Sequence, residues 1–190
     1  MKKKKSAPLV LTALFAALIS AGCFIQIPLP GGVPVAIQDM LAMLSGMILG
    51  PLYGAGAVAI FLVLGCIGLP VFTGKAGVQV ILGGPTGGFL VGYLLGALAA
   101  GLVLAALLPA GRKPSTSASY AVITIAALVA TFVLFACGIV RFMQLTGYEF
   151  GKTMAAVLIP FIPGNIIKLI LMVMLTRKFR PIVNSYLRQD

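Results

Sequence analysis

The chain has 190 residues, 61% of them hydrophobic and 9% charged, against about 25% charged in an ordinary soluble domain. So few charges cannot cover a water-soluble surface of this size, which excludes a soluble enzyme, a DNA-binding domain and a disordered tail; the apolar residues suffice for about six membrane spans of roughly 20 residues each. The net charge is +11, from 14 Lys and Arg against 3 acids, and the bases sit in tails and loops beside apolar runs, as in cytoplasmic membrane loops facing anionic lipid and unlike a nucleic-acid site.

In chain order, the first predicted helix is Pro8–Ile25. Ala13, Ala17 and Ala21 recur every four residues on one face, a spacing of small residues that lets two helices approach closely in lipid. They suit either a partner helix or packing within this chain. The same segment has the outline of a lipoprotein signal ending in Ser20-Ala21-Gly22-Cys23, but Ser20 stands where such signals usually carry Leu, which favours a retained helix. Next comes Gly31-Gly32-Val33-Pro34-Val35-Ala36-Ile37-Gln38-Asp39, which closes the first external loop. Asp39 is the single acid in this apolar stretch. It is open to three readings: paired with a cation such as Lys168, protonated, or lying in the membrane interface.

Helices are predicted over Val35–Leu49 and Gly54–Leu69. Two glycine-rich runs follow, Gly65-Cys66-Ile67-Gly68-Leu69-Pro70-Val71-Phe72-Thr73-Gly74 and Gly83-Gly84-Pro85-Thr86-Gly87-Gly88, with apolar Val78 to Leu82 between them. Irregular backbone at membrane depth is tolerated only where protein buries it or it lines a cavity, so this is expected to be an ordered loop folded into the bundle. Gln79 and Thr86 would supply hydrogen bonds there, beside the open backbone of Gly84 and Gly87.

The remaining predicted helices are Gly87–Leu108, Tyr120–Val140 and Asn165–Thr176. Two prolines and a glycine in Ile159-Pro160-Phe161-Ile162-Pro163-Gly164 break any helix arriving from Lys152. Asn165 is read as the N-cap of the last helix, with Lys168 in its first turn on nearly the same face. An ammonium beside free N–H groups at a helix start suits a carboxylate ligand; the competing reading is that Lys168 snorkels to the headgroups. Six spans put both termini on one side. Lys2 to Lys5, Arg112, Lys113, Arg177, Lys178, Arg180 and Arg188 then face the cytoplasm, and Lys75, Arg141 and Lys152 the outside.

No catalytic set is visible. The chain has no His; Cys23, Cys66 and Cys137 lie far apart in apolar runs without metal-ligand spacing; and Gly147-Tyr-Glu-Phe-Gly151-Lys152-Thr153 has one residue too few between its glycines for a phosphate-binding loop. Neither an enzyme, a metal site nor a resident cofactor is expected.

The segments Val33-Pro-Val-Ala-Ile-Gln38, Leu49-Gly-Pro-Leu-Tyr-Gly54, Gly68-Leu-Pro-Val-Phe-Thr-Gly74, Gly84-Pro-Thr-Gly-Gly88 and Ile162-Pro-Gly-Asn-Ile-Ile-Lys168 together resemble the BioY family, the biotin-specific S component of bacterial energy-coupling factor (ECF) transporters. The resemblance implies an all-α membrane protein in one domain over residues 1–190: a six-transmembrane-helix bundle with both termini cytoplasmic, in the bacterial plasma membrane, holding biotin near its external face. It also implies that Ala13, Ala17 and Ala21 dock a transmembrane coupling subunit, with two cytoplasmic ATPases completing the transporter. Lys168 would hold the valerate carboxylate, and Gln38 falls on a matching position. The family pattern before the lysine usually reads Pro-Gly-Asp, and Asn165 replaces that acid, a weaker acceptor for the ureido ring. Alternatives are an S component for another vitamin such as riboflavin, or a self-sufficient oligomeric facilitator or channel.

Overall fold

The computed structural model describes residues 6–27, 35–109 and 115–187. Lys2 to Lys5, Gly31 to Pro34, Arg112, Lys113 and Arg188, used above for orientation and for the external loop, lie outside the described residues. Among the described residues eight α-helices run in order: α1 Ala7–Ala21, α2 Gln38–Leu49, α3 Pro51–Cys66, α4 Val78–Leu82, α5 Gly87–Leu107, α6 Thr116–Thr146, α7 Phe150–Val157 and α8 Ile162–Leu187. Four helical stretches, 7–24, 87–107, 116–146 and 150–186, are long and apolar enough to cross a membrane, and α2 and α3 are shorter apolar helices. The fold is that of a helical membrane protein.

The core forms where α2, α3, α5 and α6 meet, with α1 laid over α2 and α3 and α8 against α2 and α6. Gly50, at φ +87°, turns the chain between α2 and α3. The approach of these two helices depends on missing side chains. A Cβ on Gly46 would overlap the Ala97 carbonyl of α5, and one on Gly54 would run into Gly46. In lipid, where water exclusion does not drive helices together, such backbone proximity is what holds the bundle.

Several bounds differ from the predicted ones. The first helix ends at Ala21 and continues as a 3-10 turn, Gly22–Phe24. The second starts at Gln38 instead of Val35, because Val35–Ala36 (β2) pairs antiparallel with Gln26–Ile27 (β1). The third begins at Pro51, where a first-turn proline gives up only an N–H that would have no helical partner, and it stops short of Gly68, at φ +116°. The fifth spans Thr116–Thr146, and the last begins at Ile162 and reaches Leu187 through Pro181. Arg177 stacks over the Tyr120 ring at 3.9 Å and donates to Thr116 O, and Arg180 donates to Met47 O at 2.6 Å. These contacts to α6 and α2 hold the last helix beyond the point where composition alone ended it.

Candidate functional site

The α2 start is fixed by two side chains with opposite tasks. Gln38 is fully buried, and its Nε2 donates to Ile19 O at 3.0 Å and Val71 O at 2.9 Å, tying α2 to the end of α1 and to the loop after α3. Two carbonyl partners leave no doubt which end of the amide faces them. Gln38 Oε1 is buried without a hydrogen-bond partner. Asp39, next along, lies in the first helical turn, where a carboxylate is favoured by the helix dipole. Its Oδ1 accepts from Met40 N at 2.7 Å, and both its oxygens accept from Lys168 Nζ at 2.8 Å. Asp39 is 9% and Lys168 7% exposed, so this ion pair joins α2 to α8 in the protein interior.

Lys168 therefore neither snorkels nor stands beside a helix start. α8 begins three residues before Asn165, with Pro163 in its first turn, so Asn165 is a helical residue and not the N-cap. Lys168 lies almost two turns into the helix, and its charge is met by a carboxylate instead of free N–H groups. Of the three readings of Asp39, pairing with Lys168 is the observed one.

Above this pair opens a cleft lined by Ala36, Gln38, Asp39, Phe72, Thr73, Thr86, Phe89, Leu90, Tyr93, Leu134, Phe135 and Phe161. Two aromatic groups wall it. Phe89, Phe135 and Phe161 meet edge to face at 5.9 and 6.2 Å, while Phe61 packs behind both Phe72, at 5.5 Å, and Tyr93, at 6.4 Å. Such edge-to-face contacts stiffen a wall beyond simple burial. Apolar walls with a few convergent polar groups are the usual make-up of a small-molecule site.

The glycine-rich runs build one side. Val71 and Phe72 are buried, so the loop does fold into the bundle, and Phe72 and Lys75 exchange backbone hydrogen bonds across a turn. Gly65 leaves the space that the Phe72 ring fills. Thr73, at φ +50°, adopts a left-handed conformation rare outside glycine and lines the cleft. Thr86 lines it too, just before α5. Gly84 and Gly87 serve differently: a Cβ on either would collide with the Val80 or Ile81 carbonyl, so they seat α4 against the start of α5. Gln79 is exposed on α4 and does not line the cleft; Asn165, half-buried on α8, does not line it either. Ala13, Ala17 and Ala21 form an exposed stripe on the outer face of α1, so they do not pack within this chain, and Cys23 is buried with its thiol toward Pro70 O.

The aromatic walls and Thr73 were not predicted. Spans in lipid are apolar all round, so composition does not separate a residue lining a cleft from one in the core or facing lipid. The available signal was position: Phe72 and Thr73 sit inside a glycine-rich run, Phe161 between the two prolines, and Phe89 and Tyr93 one turn apart directly after the other run.

An apolar helical bundle with an aromatic cleft closed underneath by a buried ion pair defines a membrane protein that binds a small solute. The chain belongs to the BioY family: the family's profile matches residues 1–185. It is 40% identical over 174 residues to the biotin transporter BioY of Rhizobium etli, covering 89% of this chain and 90% of that protein. It is 35% identical over 173 residues to the biotin transporter BioY of Thermotoga maritima, covering 90% and 95%. A crystal structure described as the S-component for biotin from an ECF-type ABC transporter superposes with a TM-score of 0.83 at 30% identity, covering 95% of this chain and 94% of that one. These relatives are named as transporters and not as enzymes.

Proposed function

We propose that the chain is the substrate-specific subunit of a biotin importer: it captures biotin in the aromatic cleft, and partner subunits hydrolyse the ATP that drives uptake. The observation that carries this reading is the buried Asp39–Lys168 pair directly beneath an aromatic-walled cleft, in a chain whose relatives are named biotin transporters. Biotin offers a bicyclic ring that fits between flat aromatic faces, one carboxylate, and a urea with two N–H donors. Lys168 supplies the cation for the carboxylate. Gln38 Oε1, buried with no partner, is offered to a ligand N–H, since an unsatisfied buried acceptor costs about 1–3 kcal/mol until it finds a donor. Thr86 and Thr73 add hydroxyls at the wall. Asn165, three residues before Lys168 on α8, is assigned to the ureido ring by its place in the family pattern and not by the cleft lining; Gly84 and Gly87 act by seating α4 and Thr86.

The remaining parts of the reading follow from the same family membership. The whole of residues 1–190 forms one domain, its six apolar helical segments cross the bacterial plasma membrane with both termini cytoplasmic, and lipid surrounds it. The alanine stripe on α1 receives the transmembrane coupling subunit, below which two ATPases act. Biotin is cargo, and no resident cofactor takes part. The test is a calorimetric titration of biotin into the purified chain in detergent. Saturable binding at one biotin per chain is the expected result; absence of binding, with riboflavin binding in its place, overturns it.

A further inference from the structure

Asp39 lines the cleft whereas Lys168 does not. The carboxylate thus stands between an arriving ligand and the ammonium, with both its oxygens on Lys168 Nζ at 2.8 Å. An ammonium has three donors, so two are already engaged by a group carried on the protein itself. The geometry points to Asp39 as an internal competitor for Lys168: it occupies the ammonium in the empty site, yields it to the ligand's carboxylate, and takes up one proton as it does so. This rests on the reading of the chain as a biotin-binding subunit.

The charge balance requires the proton. The empty site holds one anion and one cation, and the arriving ligand adds a second anion. Two carboxylates around one buried ammonium would leave a net negative charge enclosed by apolar walls, which is strongly disfavoured. Among the described residues lining the cleft beside Asp39 there is no second cation. Tyr93 of α5 is neutral; Phe72 and Thr73 of the loop, Leu134 and Phe135 of α6 and Phe161 of the turn before α8 carry no charge; and Lys168 of α8 is the cation in question. A proton from solvent on Asp39 restores neutrality: ligand carboxylate, Asp39–Lys168 pair and one proton become a ligand–Lys168 pair and an Asp39 carboxylic acid. Met40 N continues to hydrogen-bond Oδ1. A ligand with an uncharged tail has nothing to exchange for Asp39, so the competitor also selects for an ionised tail.

The experiment is calorimetry on the full-length chain in detergent, with biotin titrated in phosphate and in Tris at the same near-neutral pH; the difference in heat counts the protons taken from buffer. The expected result is about one proton per biotin, with affinity falling about tenfold for each pH unit of rise through the neutral range. Biotinamide should bind more weakly and take up none. Asp39→Asn, which removes the competitor, should bind biotin without proton uptake and with a flat pH profile. Tight binding of biotin to the unaltered chain with no proton exchange overturns the inference and leaves the function standing. Absence of biotin binding in both buffers sinks the function and the inference together.

Discussion

At the residue scale, the site is governed by charges and amides that have no solvent to fall back on. Asp39–Lys168 is the salt bridge found among the described residues, and each partner is tolerated in the interior because the other is there. Removing one partner of such a pair strands the other, at a typical loss of about 3–5 kcal/mol, whereas removing both is often nearly neutral. Lys168→Met should therefore lower the thermal midpoint in detergent sharply, and adding Asp39→Asn should recover most of the loss while leaving biotin binding abolished. If the double variant is as unstable as the single one, packing and not the ion pair holds α8 to α2 at this point. Gln38 follows the same logic with a neutral group: its donors are spent on two backbone carbonyls, and its acceptor is buried without a partner.

At the scale of elements, α2 is the piece on which the site depends. It has only 12 residues, yet it carries Gln38 and Asp39 at its start and is gripped by α1, α3, α5 and α8. Its grip on α5 passes through Gly46, whose missing side chain admits the Ala97 carbonyl. Gly46→Ala forces a methyl against rigid backbone and should destabilise the protein by about 1–3 kcal/mol. Gly56→Ala in α3 is the control: its new Cβ would meet only Thr12 Cγ2, at 3.7 Å, and the helix-propensity gain of about 1 kcal/mol leaves that variant at least as stable as the parent. Thermal unfolding of the two in one detergent decides the matter, and equal midpoints would mean that the α2–α5 approach has room to relax.

For the whole molecule, the two ends of α8 are held by different chemistry. Lys168 binds it to the start of α2, and twelve residues on Arg180, buried, donates to Met47 O near the end of the same helix. Arg177 binds it to the start of α6. The outer face of α1 carries no such ties: beside Ala13, Ala17 and Ala21, it exposes Val10, Leu14 and Leu18. On the proposed assembly, Ala17→Leu should leave biotin binding unchanged, because α1 contributes no residue to the cleft lining, and should abolish co-purification with the coupling subunit. Retention of that subunit by the variant would assign the stripe to lipid contact alone.

The membrane class, the two glycine-rich runs as one ordered loop and the break before the last helix were legible in the residues, because composition, proline and glycine act locally and need no partner to express themselves. The alanine stripe was legible for the same reason, as a spacing; only the fold showed that it faces away from the protein. Helix ends were legible to within a few residues for the first four predicted helices; α6 starts four residues before and ends six residues after the predicted bounds, and in α8 contacts from Arg177 and Arg180 to distant segments override the local preference. The site was half legible. Gln38, Asp39, Thr86 and Lys168 stood out as polar groups in apolar surroundings, but nothing in the spacing of residues 39 and 168 states that they touch. The aromatic walls were hidden among many apolar side chains of equal standing. Local chemistry is written residue by residue, whereas a cleft and an ion pair are properties of surfaces from separate helices, and only their packing determines which of those surfaces meet.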